Sequence, residues 1–179
     1  MSAVEATQCS IDEETRQLWL FGDVDNSMAQ LAIPTLGLWG QEDVPIRVHL
    51  LTDGGCFQTG MGIFDAIEAA QCDVWTIAHG DVLSTGAVMF LAGDVRLMRP
   101  NARLMFHRPF NSFDRGTRRD LARADFQLAD CERILSRIWL DLDLDEDDLR
   151  SVLVGTRDEL WYDATRAISG GLAHGLSEC

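Results

Sequence analysis

The chain has 179 residues, 46% of them apolar and 25% charged, the composition of one ordinary globular domain with a sizeable core. Fifteen basic residues against 29 acidic ones leave a net charge of −14, which opposes phosphate backbones and anionic lipid and makes nucleic acid and membrane surfaces poor partners. All fifteen basic residues are arginine, which excludes a lysine nucleophile, a Schiff base and a Walker-type phosphate lysine.

Residues 1–16 are polar and acidic and read as a loose segment ahead of a single domain over 17–179; they resemble neither a signal nor a transit peptide. QLWLFGDV predicts a short strand over Leu18–Phe21, broken by Gly22. Ser27–Trp39 has apolar residues at helical spacing, and Pro34 predicts a helix kinked or started near it. IRVHLL (Ile46–Leu51) reads as a buried strand ended by Thr52-Asp53-Gly54-Gly55; MGIFDAIEAA carries the next helix and DVWTIA (Asp73–Ala78) the next strand. A second glycine-rich turn, Gly80–Gly86, leads into STGAVMFLAG. VRLM and ARLMF predict two more short strands about Arg99-Pro100-Asn101. From Arg118 to Leu142 there is no Pro or Gly, and apolar residues recur at Leu121, Ala124, Leu128, Cys131, Leu135, Ile138 and Leu142. That pattern predicts one long amphipathic helix, more than a small sheet covers, so part of it is expected against another subunit. DLDLDEDDL reads as a solvated helix start, followed by a strand near Glu159–Trp161 and a helix over Asp163–Ser169. Strands alternating with helices predict βαβ units and an α/β fold with a mostly parallel sheet.

Five cysteines (Cys9, Cys56, Cys72, Cys131, Cys179) without a C-x-x-C pair read as those of a reduced, intracellular protein. No apolar run approaches the roughly 18 residues of a membrane span. No histidine pair has helical metal-ligand spacing, so no metal and no cofactor are assigned.

The two glycine-rich turns follow two successive strands and in an open α/β sheet both lie at the carboxyl ends of their strands, where ligands bind. Ser84, in the second turn, reads either as a helix cap or as a nucleophile. The N–H groups of Gly55 and Thr85, if convergent, form an oxyanion hole contributing about 3–4 kcal/mol per donor; a tight turn without chemistry is the plainer alternative. His107 ends the strand-like ARLMF and reads either as a general base or as a satisfied polar residue. Asp158 and Glu159 stand before Trp161-Tyr162 as candidate orienters of that histidine, or as ordinary surface carboxylates. Cys56, beside Gly55, reads as a small buried residue rather than a nucleophile.

From about Leu18 to Leu172 these pieces resemble, in order, the Clp protease proteolytic subunit family, ClpP. TDGGCFQTGMGIFDAI is similar to the family's Gly-Gly segment and its following helix, GDVLSTGAVMFLAG to its nucleophile segment, and RPNARLMFHRPF to the strand ending in its base histidine. The helix at about 115–142 resembles the family's protruding handle, and ELWYDATRAISGGL its closing segment. The resemblance implies a ClpP/crotonase-like fold of repeated β-β-α units and a serine-type endopeptidase. It implies Ser84 as nucleophile, His107 as base, Glu159 as acid with Asp158 as fallback, and Gly55 and Thr85 as oxyanion donors. It also implies a cytoplasmic homo-oligomer of stacked heptameric rings, polypeptide substrates and an AAA+ unfoldase partner. Asp53 stands where the family has proline, Val82-Leu83 where it has small residues, and the N-terminus is shorter. The Glu-x-Trp-aromatic ending resembles phage-encoded ClpP-like head-maturation proteases. A catalytically silent ring subunit and a crotonase-type acyl-CoA enzyme are the alternatives on the same fold.

Overall fold

The computed structural model describes residues 9–108, 118–153 and 157–177. The chain forms two compact units, one of Met1–Met105 with Trp161–Cys179 and the other of Phe106–Leu160.

The first unit is built on a sheet in the order β1-β2-β3-β4-β5-β8. Its strands are β1 (Cys9–Asp12), β2 (Gln17–Phe21), β3 (Ile46–Thr52), β4 (Val74–Leu83), β5 (Val95–Met98) and β8 (Gly175–Leu176). β1 runs antiparallel to β2, and from β2 to β8 every neighbour is parallel. β6 (Arg103–His107) pairs with β4 and with β7 (Glu159–Asp163). Period-two burial explains why the strands form: Leu18, Leu20, Val48, Leu50, Val74, Thr76 and Ala78 are buried on one face. That face meets α1 (Asn26–Trp39), α2 (Phe57–Glu68) and α3 (Thr85–Phe90), whose inward residues include Met28, Ala32, Leu36, Ile63, Phe64 and Phe90. α6 (Ala164–Ser169) closes the unit, with the Asp163 carboxylate accepting from Arg166 N–H at its start.

Four expectations need correction here. Cys9–Asp12, in the stretch read as loose, is an edge strand, because its backbone completes a ladder with Gln17–Leu20; the eight residues before it lie outside the described residues. The helix with Pro34 does not start there: it begins at Asn26, where the Asp25 carboxylate accepts from Ser27 and Met28 N–H. Pro34 is exposed, so the carbonyl it leaves unpaired faces water. β8, in the tail, adds a strand that the sequence does not announce, since its two residues hold no hydrophobic pattern. The strand read as ending at Ala78 continues to Leu83.

That continuation shapes the site. Between the pairs Leu50↔Ala78 and Thr52↔Val82, β4 advances four residues while β3 advances two. The excess forms a bulge around His79-Gly80, where Gly80 has φ +49. Before the bulge β4 pairs on its other side with β5 through Trp75–Ala78; after it, with β6 through Asp81–Leu83.

The second unit contains α4 (Arg118–Asp141) and α5 (Glu146–Leu153). Cys131, Leu135 and Ile138 are buried, as the helical spacing predicts; Trp139, outside that pattern, is buried too and meets Phe106 edge-on at 5.1 Å between centroids. Phe126 is exposed. Residues 115–117 of the expected handle lie outside the described residues. The charge run opens α5 as read: Asp145 caps the Asp147 N–H at 2.8 Å, and Glu146, Asp147 and Asp148 occupy the first turn.

Candidate active site

Ser84 links the end of β4 to α3. A capping serine has extended backbone and accepts a hydrogen bond from the first turn. Ser84 has φ +54 and ψ −123, and its hydroxyl makes no cap hydrogen bond to α3. The cap alternative therefore fails. Its backbone lies in a region nearly reserved for glycine, the kind of strained strand-to-helix turn on which a hydroxyl is presented at a sheet edge. Its backbone is anchored on both sides: Ser84 N–H donates to Met105 O at 2.8 Å, and Ser84 O accepts from Val88 N–H at 3.2 Å.

The first glycine turn stands against this serine. Gly54 has φ +99, and a Cβ there would lie 2.7 Å from the Ser84 Cβ and 3.2 Å from its Oγ. Gly55 has φ +149, and a Cβ there would lie 2.5 Å from Val24 O. Val24 straddles the turn, donating to Gly54 O and accepting from Cys56 N–H, both at 2.8 Å. The two turns are tied directly: Thr85 Oγ1 donates to Gly55 O at 3.1 Å. Gly86 abuts Thr52, where a Cβ would lie 2.2 Å from Thr52 Cγ2. Gly54, Gly55, Ser84 and Thr85, chosen from sequence, are thus brought together in one unit. Cys56 is not buried, contrary to expectation; it is the N-cap residue of α2 at the solvent end of the turn. The neighbouring Thr59 hydroxyl pulls its thiol below the usual range.

In the second unit, His107 is half-buried at the end of β6. Its Nδ1 lies 2.8 Å from Arg108 O. A carbonyl only accepts, so the proton of that bond sits on Nδ1, and in a neutral ring Nε2 then carries the lone pair. Glu159 and Asp158 are both exposed, Glu159 as the first residue of β7 and Asp158 just before it.

Sequence reasoning passed over two groups in the first unit. Arg103 on β6 grips Asp81 on β4 with two bonds, Nε to Oδ1 at 2.8 Å and Nη2 to Oδ2 at 2.7 Å, and its guanidinium lies 5.0 Å from the Trp161 ring centroid. On the sheet face opposite the helices, His49 is stacked on Trp19 and bonded to both His79 (2.9 Å) and Gln17 (2.8 Å). Burial first, then the His79, Arg47 and Arg99 charges, lower His49 from 6.5 to about 4. Residue types alone carry no signal for either group, because both depend on which strands pair and in which register.

No helix among the described residues is long and apolar enough to cross a membrane. A family model described as Clp protease matches residues 5–178. The ATP-dependent Clp protease proteolytic subunit 2 of Treponema pallidum (strain Nichols) is 29% identical over 170 residues, spanning 92% of this chain and 83% of that protein. The solved structure of a ClpP1 mutant from Listeria monocytogenes superposes with a TM-score of 0.78 at 22% identity, covering 93% of each chain, which establishes the shared α/β fold. With nearly its whole length matched, this chain belongs to the Clp protease family.

Proposed function

We propose that the protein is a serine-type endopeptidase cleaving unfolded polypeptides, with Ser84 as nucleophile, His107 as general base and Glu159 as the acid that orients it. The observation that carries this reading is Ser84 itself: a non-glycine residue at φ +54 and ψ −123, without a cap bond, packed against Gly54. Strain of this kind persists only where the surroundings impose it, and it clusters at catalytic centres.

In the proposed reaction Ser84 Oγ attacks the scissile carbonyl carbon while its proton passes to His107 Nε2, the nitrogen that the Nδ1 contact to Arg108 O leaves as the base. The N–H groups of Gly55 and Thr85 stabilise the oxyanion. Collapse breaks the C–N bond, and the leaving amine takes the proton from His107. Water then attacks the acyl-enzyme, gives its proton to His107, and the acyl group leaves as Ser84 recovers its hydrogen. Glutamate serves as the acid, as in known Ser-His-Glu triads, accepting from the same Nδ1–H that donates to Arg108 O, with Asp158 as the fallback. By analogy with its family the chain assembles into stacked heptameric rings, works with an AAA+ unfoldase and acts in the cytoplasm.

A fluorophosphonate probe on the purified, assembled protein tests the reading. Labelling is expected at Ser84, absent in Ser84→Ala and strongly reduced in His107→Ala. An assembled wild type that takes no label would establish the silent ring subunit instead.

A further inference from the structure

Three strand segments in the first unit are joined by one guanidinium. Arg103 and Asp81 are register partners across the parallel β4–β6 ladder, and their bidentate pair crosses it at its first rung. The ladder has three rungs, Asp81↔Arg103, Val82↔Leu104 and Leu83↔Met105, and begins directly after the bulge where β4 has given up β5. So short a ladder, next to an irregularity, specifies its register weakly by backbone alone. The third partner is Trp161 of β7, whose ring lies under the Arg103 guanidinium.

The positions of these residues matter more than the strength of the pair. Asp81 precedes Ser84 by three residues, Arg103 precedes His107 by four, and Trp161 follows Glu159 by two. The last rung ends in the bond from Ser84 N–H to Met105 O. We propose that Arg103 is a positioning residue: it locks the β4–β6 register and the seat of Trp161 on β7, and so sets where the end of β4 delivers the nucleophile. This inference rests on the peptidase reading for its catalytic consequence, though not for its structural one. The Arg103 and Asp81 side chains are 54% and 35% exposed, and a pair so solvated adds little to global stability. A positioning role and a merely stabilising role therefore predict different results.

The experiment compares wild type, Arg103→Met, Arg103→Lys, Trp161→Phe and the charge-swapped double variant Asp81→Arg/Arg103→Asp, all as assembled protein. Three quantities are read: the fluorophosphonate labelling rate at Ser84, the thermal midpoint, and the exchange rate of the Ser84 amide hydrogen. Arg103→Met is expected to slow labelling about tenfold and speed Ser84 amide exchange by a similar factor, with the midpoint within about 2 °C of wild type. On a chromogenic peptide the loss should fall on kcat and leave KM unchanged. Arg103→Lys, which keeps charge without the fork, should recover only a small part; the charge swap, which restores the pair, should recover most, and Trp161→Phe, which keeps a ring under the guanidinium, should stay near wild type. Unchanged labelling and exchange in Arg103→Met would overturn the proposal, as would a loss matched by a large fall in midpoint that the charge swap does not repair. If the wild type takes no label, the peptidase reading fails, and the amide exchange alone decides the clamp: faster in Arg103→Met supports it, unchanged refutes it.

Discussion

Ser84→Gly is expected to give a more stable protein than Ser84→Ala, although both abolish labelling by a fluorophosphonate. The backbone at φ +54 and ψ −123 places the Cβ of any L-residue in a disfavoured region, at a cost of about 1–3 kcal/mol. Alanine removes the hydroxyl and keeps that Cβ, so it keeps the strain. Glycine removes both, but loses about 0.5–1 kcal/mol through the larger conformational freedom of its unfolded chain. At the middle of both ranges the glycine variant stands about 1 kcal/mol above the alanine variant. With a urea m-value of about 2 kcal/mol per molar for a chain of this size, that is a midpoint separation of about 0.5 M. The two variants must be unfolded at equal protomer concentration, since assembly adds to apparent stability. Equal midpoints, or a lower one for Ser84→Gly at unchanged m, would show that Ser84 is not strained and remove the main support for its role.

Gly54→Ala should cost about 2–4 kcal/mol, from its positive φ together with a Cβ 2.7 Å from that of Ser84, and should slow labelling more than Gly37→Ala, where the structure shows open space around an added Cβ; denaturation and labelling of the two variants check this. For His49 the folded value, about 4, lies below the unfolded 6.5, so its contribution is full above pH 6.5 and is lost as pH falls through the window from 6.5 to 4. After solvent screening that loss is about 1–2 kcal/mol, and the difference in unfolding free energy between wild type and His49→Gln, read from urea titrations, should shrink by this amount from pH 7 to pH 4.5. Glu159→Ala should lower the labelling rate about a hundredfold or more, and Asp158→Ala by less than about threefold, in the same probe assay; the reverse order would move the acid to Asp158.

What was legible in the sequence followed from local rules. Leu18, Leu20, Val48 and Leu50 alternate as strands must, Leu135, Ile138 and Trp139 repeat as a helix must, and Gly54, Gly55 and Gly86 mark places where an added Cβ meets another segment. The four residues of the two turns came together because consecutive strands of a parallel sheet end side by side. What stayed hidden was non-local. The sequence of β4 reads as a strand ended at Ala78 and then a turn, because Gly80 interrupts an apolar run, and only the ladder shows that the strand continues and that the bulge lets it change partner from β5 to β6. Asp81 and Arg103 lie 22 positions apart and read as two solvated charges until register makes them opposite. The cap reading of Ser84 failed for a related reason, since capping and nucleophile turns share residue types and differ only in φ and ψ.

The strain at Ser84 explains why the clamp should act on rate more than on stability. A residue in a disfavoured conformation relaxes unless it is held from several directions. Ser84 is held by its N–H on Met105 O, by its carbonyl on Val88, and by Gly54 against its side chain, while Thr85 is tied to Gly55 O. The Met105 anchor is the one that depends on β6 keeping register, and β6 is paired to β4 over only three residues. A slip there releases Ser84 into an ordinary backbone well. Such a relaxation lowers the local energy even as the exposed ion pair is lost, so the two changes offset in global stability. The hydroxyl, however, no longer points where the strand end presented it, and only the chemistry registers the difference.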